Sequence, residues 1–231
     1  MDEFANLRKH LNQRQTELRT ALTASQVEDQ AFELFIQHHQ ELHSARVGSS
    51  ANQSNLRWSY EDAILDDLAE VYYRQIPANS EHSIAWLIWH MARIEDVAMN
   101  LLVAGEPQVF ERDHWSARLR THITHTGNSM SYLAIQELNN TVDIQALRAY
   151  RVAVGQKTAN LIHHLTPQRL KEKVDPERIQ RVKDEGALIP AAYGIADYWS
   201  KRDIAGLLLM PASRHNLVHL NEAYRLKSKL I

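Results

Sequence analysis

Apolar residues recur at intervals of three and four along most of this chain, and little interrupts them. Its 231 residues include only 7 glycines and 6 prolines, and β-branched alternation is scarce. A period near 3.6 belongs to helices that bury one stripe, whereas half-buried strands need a period of two. Too few turn residues remain for the frequent reversals of a β-sandwich or barrel. The chain is therefore expected to be all-α, with a helical bundle at its core. Its length suits one domain with a sizeable core, or one domain plus an arm.

Residues 1–23 read as a helical arm with a narrow stripe of Phe4, Leu7, Leu11, Leu18 and Leu22, interrupted by Arg14. Such a stripe can pair with a second copy, giving a homodimer, or fold back on its own body, and the second is the expected use. Residues 24–231 then form the bundle. Ser25 is placed to cap a helix from Gln26 to Val47, followed by a polar loop at 48–55. Ser59-Tyr-Glu-Asp62 has the spacing of a capping box and opens a short amphipathic segment. A long apolar helix runs from Glu81 to Ala104 and stops at Gly105-Glu-Pro107. Residues 107–140 are mixed and polar, so loops and short helices are expected. Asp143–Leu165 is another amphipathic helix. Residues 168–202 form an irregular excursion with a helix at Pro176–Glu185, and a last helix over Asp203–Leu226 is kinked or restarted at Pro211.

Several function classes drop out on charge and composition. A formal charge of −2 lacks the basic excess of a nucleic-acid binder. With no cysteine there is no disulfide, thiolate nucleophile or cysteine-ligated metal, so any metal must be held by histidine, carboxylate or water. The charged N-terminus has no signal-peptide apolar run, and the apolar runs at 84–89 and 204–212 are too short to span a bilayer, so neither membrane nor export is indicated. A cytoplasmic protein is expected. Phosphate loops, dinucleotide fingerprints, His-Glu-x-x-His pairs and nucleophile elbows are missing.

The chemistry that remains is imidazole. His215 and His219 stand one turn apart and project from the same side of the last helix, on a stripe with Leu208 and Ala212. Among 13 histidines one such pair arises by chance, and a second pair, His39/His43, lies on a more polar helix. Position is what distinguishes the first pair. An imidazole on an apolar stripe needs a partner, and His90 has the same character among Leu87, Ile94, Val97 and Leu101. Three histidines and an open position suit catalytic zinc; nitrogen ligands also accept nickel, iron and manganese. Glu222, one turn beyond His219, can orient a ligand, act as a catalytic base, or pair with Arg225 or Lys229. Arg214 is a candidate for holding an anionic substrate group, and Trp86, Trp89 and Tyr193 for lining a pocket. His39 and His43 are the alternative donors should their helix turn them inward.

The run Ser83-Ile-Ala-Trp-Leu-Ile-Trp-His-Met-Ala-Arg-Ile-Glu-Asp96, followed by His215-x-x-x-His219, resembles the DinB-like superfamily. The resemblance covers residues 26–226 and implies a core of four helices, with an N-terminal helix and irregular insertions added here. It also implies a divalent metal, zinc or nickel foremost, on His90, His215 and His219. Relatives of known activity include thiol transferases, so a small-molecule substrate and a low-molecular-weight thiol, attacking an electrophile as thiolate, are what the resemblance suggests. A non-catalytic metal-stabilised or ligand-binding module, and a metal-dependent hydrolase with Glu222 as base, are the competing readings.

Overall fold

Ser83 starts the helix on which the rest is built. Its hydroxyl accepts the Trp86 backbone N–H at 3.0 Å, occupying one of the donors a helix N-terminus leaves free. Helix α5 then runs Ile84–Asp96, with every residue buried. The computed structural model describes residues 3–44 and 59–231. Helices α9 (Ile144–His163) and α13 (His215–Leu230) pack on α5, and α2 (Gln30–Leu42) packs on α9 and α13, giving the four core helices of an all-α bundle. Helix α1 (Glu3–Leu22) lies against α2 and against α12 (Ile204–Leu209), burying Leu11, Leu18 and Leu22 on its own body. Short helices α3 (Tyr60–Leu65) and α4 (Glu70–Arg74) cover one end. Helices α6 (Val109–Arg112), α7 (Trp115–Leu119), α8 (Tyr132–Thr141), α10 (Pro176–Asp184) and α11 (Tyr193–Ser200) fill the two irregular stretches. Among the described residues, the only strand-like pairing is an isolated bridge between Lys173 and Asp203, and no helix is long and apolar enough to cross a membrane.

A helix buried all round is normally apolar all round. Helix α5 instead carries His90, Arg93, Glu95 and Asp96, so each must find partners inside the protein. Arg93 donates to the Thr124 carbonyl (3.0 and 2.7 Å), Gln108 Oε1 (2.7 Å) and Asp96 Oδ2 (3.2 Å). Asp96 accepts the Tyr150 hydroxyl (2.6 Å), Asn100 Nδ2 (2.8 Å) and the backbone N–H groups of Val109 and Phe110 (2.8 and 2.9 Å). One carboxylate thereby anchors the start of α6 to α5 and α9. Beyond Asp96 the helix widens into a π segment over Val97–Ala104 and ends at Gly105, whose φ of +74° suits glycine. The freed carbonyls of Leu102 and Val103 accept Arg178 Nη1, each at 2.9 Å.

The capping box at Ser59 forms, with the Ser59 hydroxyl accepting from Asp62 N–H and the Asp62 carboxylate reaching back. Ser25 does not cap α2. The chain leaves α1 through a turn that brings Val27 against the core, and α2 begins only at Gln30 behind Asp29. The same helix ends at Leu42 rather than Val47, because His43 turns extended and its Nδ1 faces the His39 carbonyl at 3.0 Å. The polar loop expected at 48–55 lies outside the described residues.

Candidate metal centre

The last core helix is broken in a particular way. After α12, Pro211 has no N–H to give, and residues Met210–Arg214 form a π turn in which the His215 N–H reaches back to the Met210 carbonyl. The Ser213 hydroxyl donates to the carbonyls of Leu208 and Leu209, both at 2.9 Å. The wider turn shifts the register before α13 starts, so His215 and His219 are set by the break and not by a straight continuation of the stripe from Leu208.

These two rings meet His90 from α5. His215 Nε2 stands 3.1 Å from His90 Nε2, and donor atoms of His90, His215 and His219 all lie within 4.8 Å of one another. Donors bound at about 2.0–2.1 Å to one zinc ion sit roughly 3.3 Å apart at tetrahedral angles. The His90–His215 separation is already that of a chelating pair.

Two of the tautomers follow from the partners. His90 Nδ1 lies 2.7 Å from the Thr126 carbonyl, an oxygen that only accepts, so the proton is on Nδ1 and Nε2 keeps its lone pair. His219 Nδ1 lies 2.9 Å from Glu222 Oε2, which fixes its proton in the same way. The free nitrogen of His90 is the one turned toward His215, the arrangement of a metal-binding histidine held from behind by an oxygen. Burial holds the His90 imidazole down to about 3, with the His219 charge adding to it, and burial pushes His215 well below its ordinary value. Neutral imidazoles are the ligand form. For Glu222, burial would raise the carboxyl, but hydrogen bonds from His219 and His82 outweigh it and hold it at about 2.

The cluster opens on a cavity of about 540 Å³, lined by the three histidines with His82, Trp86, Met130 and the turn at 127–129. Trp86 is sandwiched between His82 (3.7 Å between ring centroids) and His90 (4.6 Å). Gly127, at φ +88°, approaches Trp86 so closely that a Cβ there would lie 3.2 Å from its Nε1. That indole nitrogen is buried with no partner.

Of the other residues singled out by sequence, Glu222 pairs with His219 and His82, while Lys229 donates to Ser80 instead. Arg214 faces away from the cavity. Its exposed guanidinium donates to Asn12 of α1 at 3.2 Å and lines a different groove. Trp89 is fully buried and donates to the His125 carbonyl, and Tyr193 packs with the hydrophobic cluster around α10 and α11. His39 and His43 do turn inward despite their polar helix, yet they meet Glu95 and not the C-terminal pair. His82 went unnoticed in the sequence although His82, Trp86 and His90 share an i, i+4, i+8 ladder; Thr126 contributes only a backbone oxygen, for which no side-chain pattern exists.

Four packed helices with three converging imidazoles define a helical-bundle protein whose histidines can hold a metal ion. Residues 55–221 match the DinB superfamily, and the chain belongs to that family. The match includes His90, His215 and His219 and stops one residue short of Glu222. No curated protein matches the chain.

Proposed function

We propose that this DinB-superfamily chain is a metal-dependent enzyme that transfers a low-molecular-weight thiol to a small electrophile in the cytoplasm, with zinc or nickel on His90, His215 and His219. The observation that carries the reading is that these imidazoles, two with Nδ1 already committed to oxygen, open onto a cavity and are not sealed. Structural sites are closed, whereas catalytic ones keep a position for a reactant. When bound, the cation supplies Lewis acidity and lowers the pKa of a ligand such as a thiol toward neutrality.

The chain's own groups do the rest. Thr126 and Glu222 hold the His90 and His219 rings in orientation. Trp86, clamped between His82 and His90, walls the cavity. Glu222, committed to two histidines and held near 2, is a positioning residue in this reading; a carboxylate so strongly acidic is a poor base for hydrolysis. Metal-loaded full-length protein is expected to consume monochlorobimane with glutathione, bacillithiol or mycothiol, and His215→Ala to abolish this while remaining helical by circular dichroism. Turnover that needs metal but no thiol would replace transfer with hydrolysis.

A further inference from the structure

A second cluster joins α2 to α5, and the proposed chemistry leaves it unused. His39 and His43 stack one turn apart, with ring centroids 3.8 Å from each other. Their Nε2 atoms meet the two oxygens of Glu95 at 2.8 and 2.9 Å, and all three side chains are wholly buried.

The protons do not fit this arrangement easily. His43 Nδ1 lies 3.0 Å from the His39 carbonyl, which only accepts, so a neutral ring carries its proton there. The His43 Nε2 lone pair then points at a carboxylate oxygen 2.9 Å away, and two electron-rich atoms at that distance repel unless positive charge lies between them. That charge is either a second proton, making an imidazolium with no access to water, or a cation. The same oxygen already accepts Asn216 Nδ2 at 2.7 Å, so further proton donors are not short. On the other ring, His39 Nδ1 has no partner.

The geometry points to the cation. One donor atom from each of His39, His43 and Glu95 lies within 4.8 Å of the other two, and each imidazole Nε2 faces its own carboxylate oxygen. Their nitrogen–oxygen separations are close to the roughly 2.9–3.4 Å expected between neighbouring ligands about 2.0–2.2 Å from one ion. We propose that His39, His43 and Glu95 form a second metal site, closed and structural, selecting zinc or a similar divalent transition metal and tying α2 to α5. His39 and His43 lie outside the residues matched to the family, and Glu95 lies within them. Because the ligands have no exposure, the ion enters as the chain folds and does not exchange freely afterwards.

The test uses full-length chain refolded from denaturant with zinc present, then exposed to excess chelator, with zinc per chain read by mass spectrometry. Wild type is expected to keep one chelator-resistant equivalent. The double variant His215→Ala/His219→Ala, which disables the open site, should keep it too. Adding Glu95→Gln should remove it. Zinc absent from the double variant after chelation, or retained when Glu95→Gln is added, overturns the proposal. Should the Glu95→Gln protein fail to fold, refolding the double variant with cobalt decides the matter: visible d–d bands of a nitrogen–oxygen site support it, and their absence sinks it. Failure of the open site would appear separately, as loss of the chelator-labile equivalent in wild type.

Discussion

Glu222 accepts a hydrogen bond from the Nδ1–H of His219 at 2.9 Å and, through its other oxygen, contacts His82 at 3.3 Å. That carboxylate decides which nitrogen of His219 is left for a metal and where the ring points. Replacing it with alanine frees the ring to rotate and to change tautomer. Metal affinity of Glu222→Ala is expected to drop about 10–100-fold, the range for oxygen partners of ligating histidines. Competition against a chromophoric chelator measures it; a change below about twofold would mean that the carboxylate does not orient the ring.

Loss of Asp96 should cost the fold heavily. Its removal leaves the buried Arg93 guanidinium without its carboxylate and frees the N–H groups of Val109 and Phe110. Breaking a buried pair from one side typically costs about 3–5 kcal/mol. Urea unfolding of Asp96→Ala should show a loss of that size, whereas Tyr150→Phe, which removes one of several donors, should lose about 1–2 kcal/mol.

Acid should destabilise the protein through His38. Burial, helped by charge on His39, Arg14 and His10, lowers its pKa from 6.5 to about 3. Between those values the unfolded chain binds a proton at this residue and the native chain does not. Stability is therefore complete above pH 6.5 and falls as pH drops toward 3, by at most about 1.4 kcal/mol per pH unit for such a group. His38→Gln keeps a donor for Gln15 Oε1, which His38 Nε2 meets at 3.0 Å, but has no proton to gain. Urea midpoints between pH 7 and pH 4 should decline less steeply in the variant than in wild type. Equal slopes would assign the acid sensitivity elsewhere.

Much of this was readable in the sequence because it rests on local rules. Sparse glycine and proline with a 3.6 period gave the all-α class, Ser59 announced helix α3, and Gly105 marked the end of the central helix. Imidazoles interrupting apolar stripes pointed to His90, His215 and His219. Other features depend on tertiary contact. Val27 reaching the core postponed α2, and the π turn at Met210–Arg214 reset the register ahead of His215. His39 and His43 were visible as a pair, but their partner Glu95 was not, since it sits more than fifty residues away on a helix where a carboxylate looks out of place.

Arg214 tests how far sequence adjacency can be trusted. It follows Ser213 and precedes His215, which invites the idea that it grips the substrate of the same centre. Successive residues on a helix point about 100° apart, however, so the neighbour of an inward ligand is turned off the site. The structure follows that rule: Arg214 is exposed and meets Asn12 on α1 while the His215 ring meets His90. Arg214→Ala is therefore expected to change metal affinity and the KM for an anionic electrophile by less than about twofold, and stability by no more than about 0.5 kcal/mol. His215→Ala, one residue later, should abolish metal binding at the open site. A tenfold rise in KM for Arg214→Ala, with metal content unchanged, would bring the guanidinium back to the substrate and require α1 to release it during turnover.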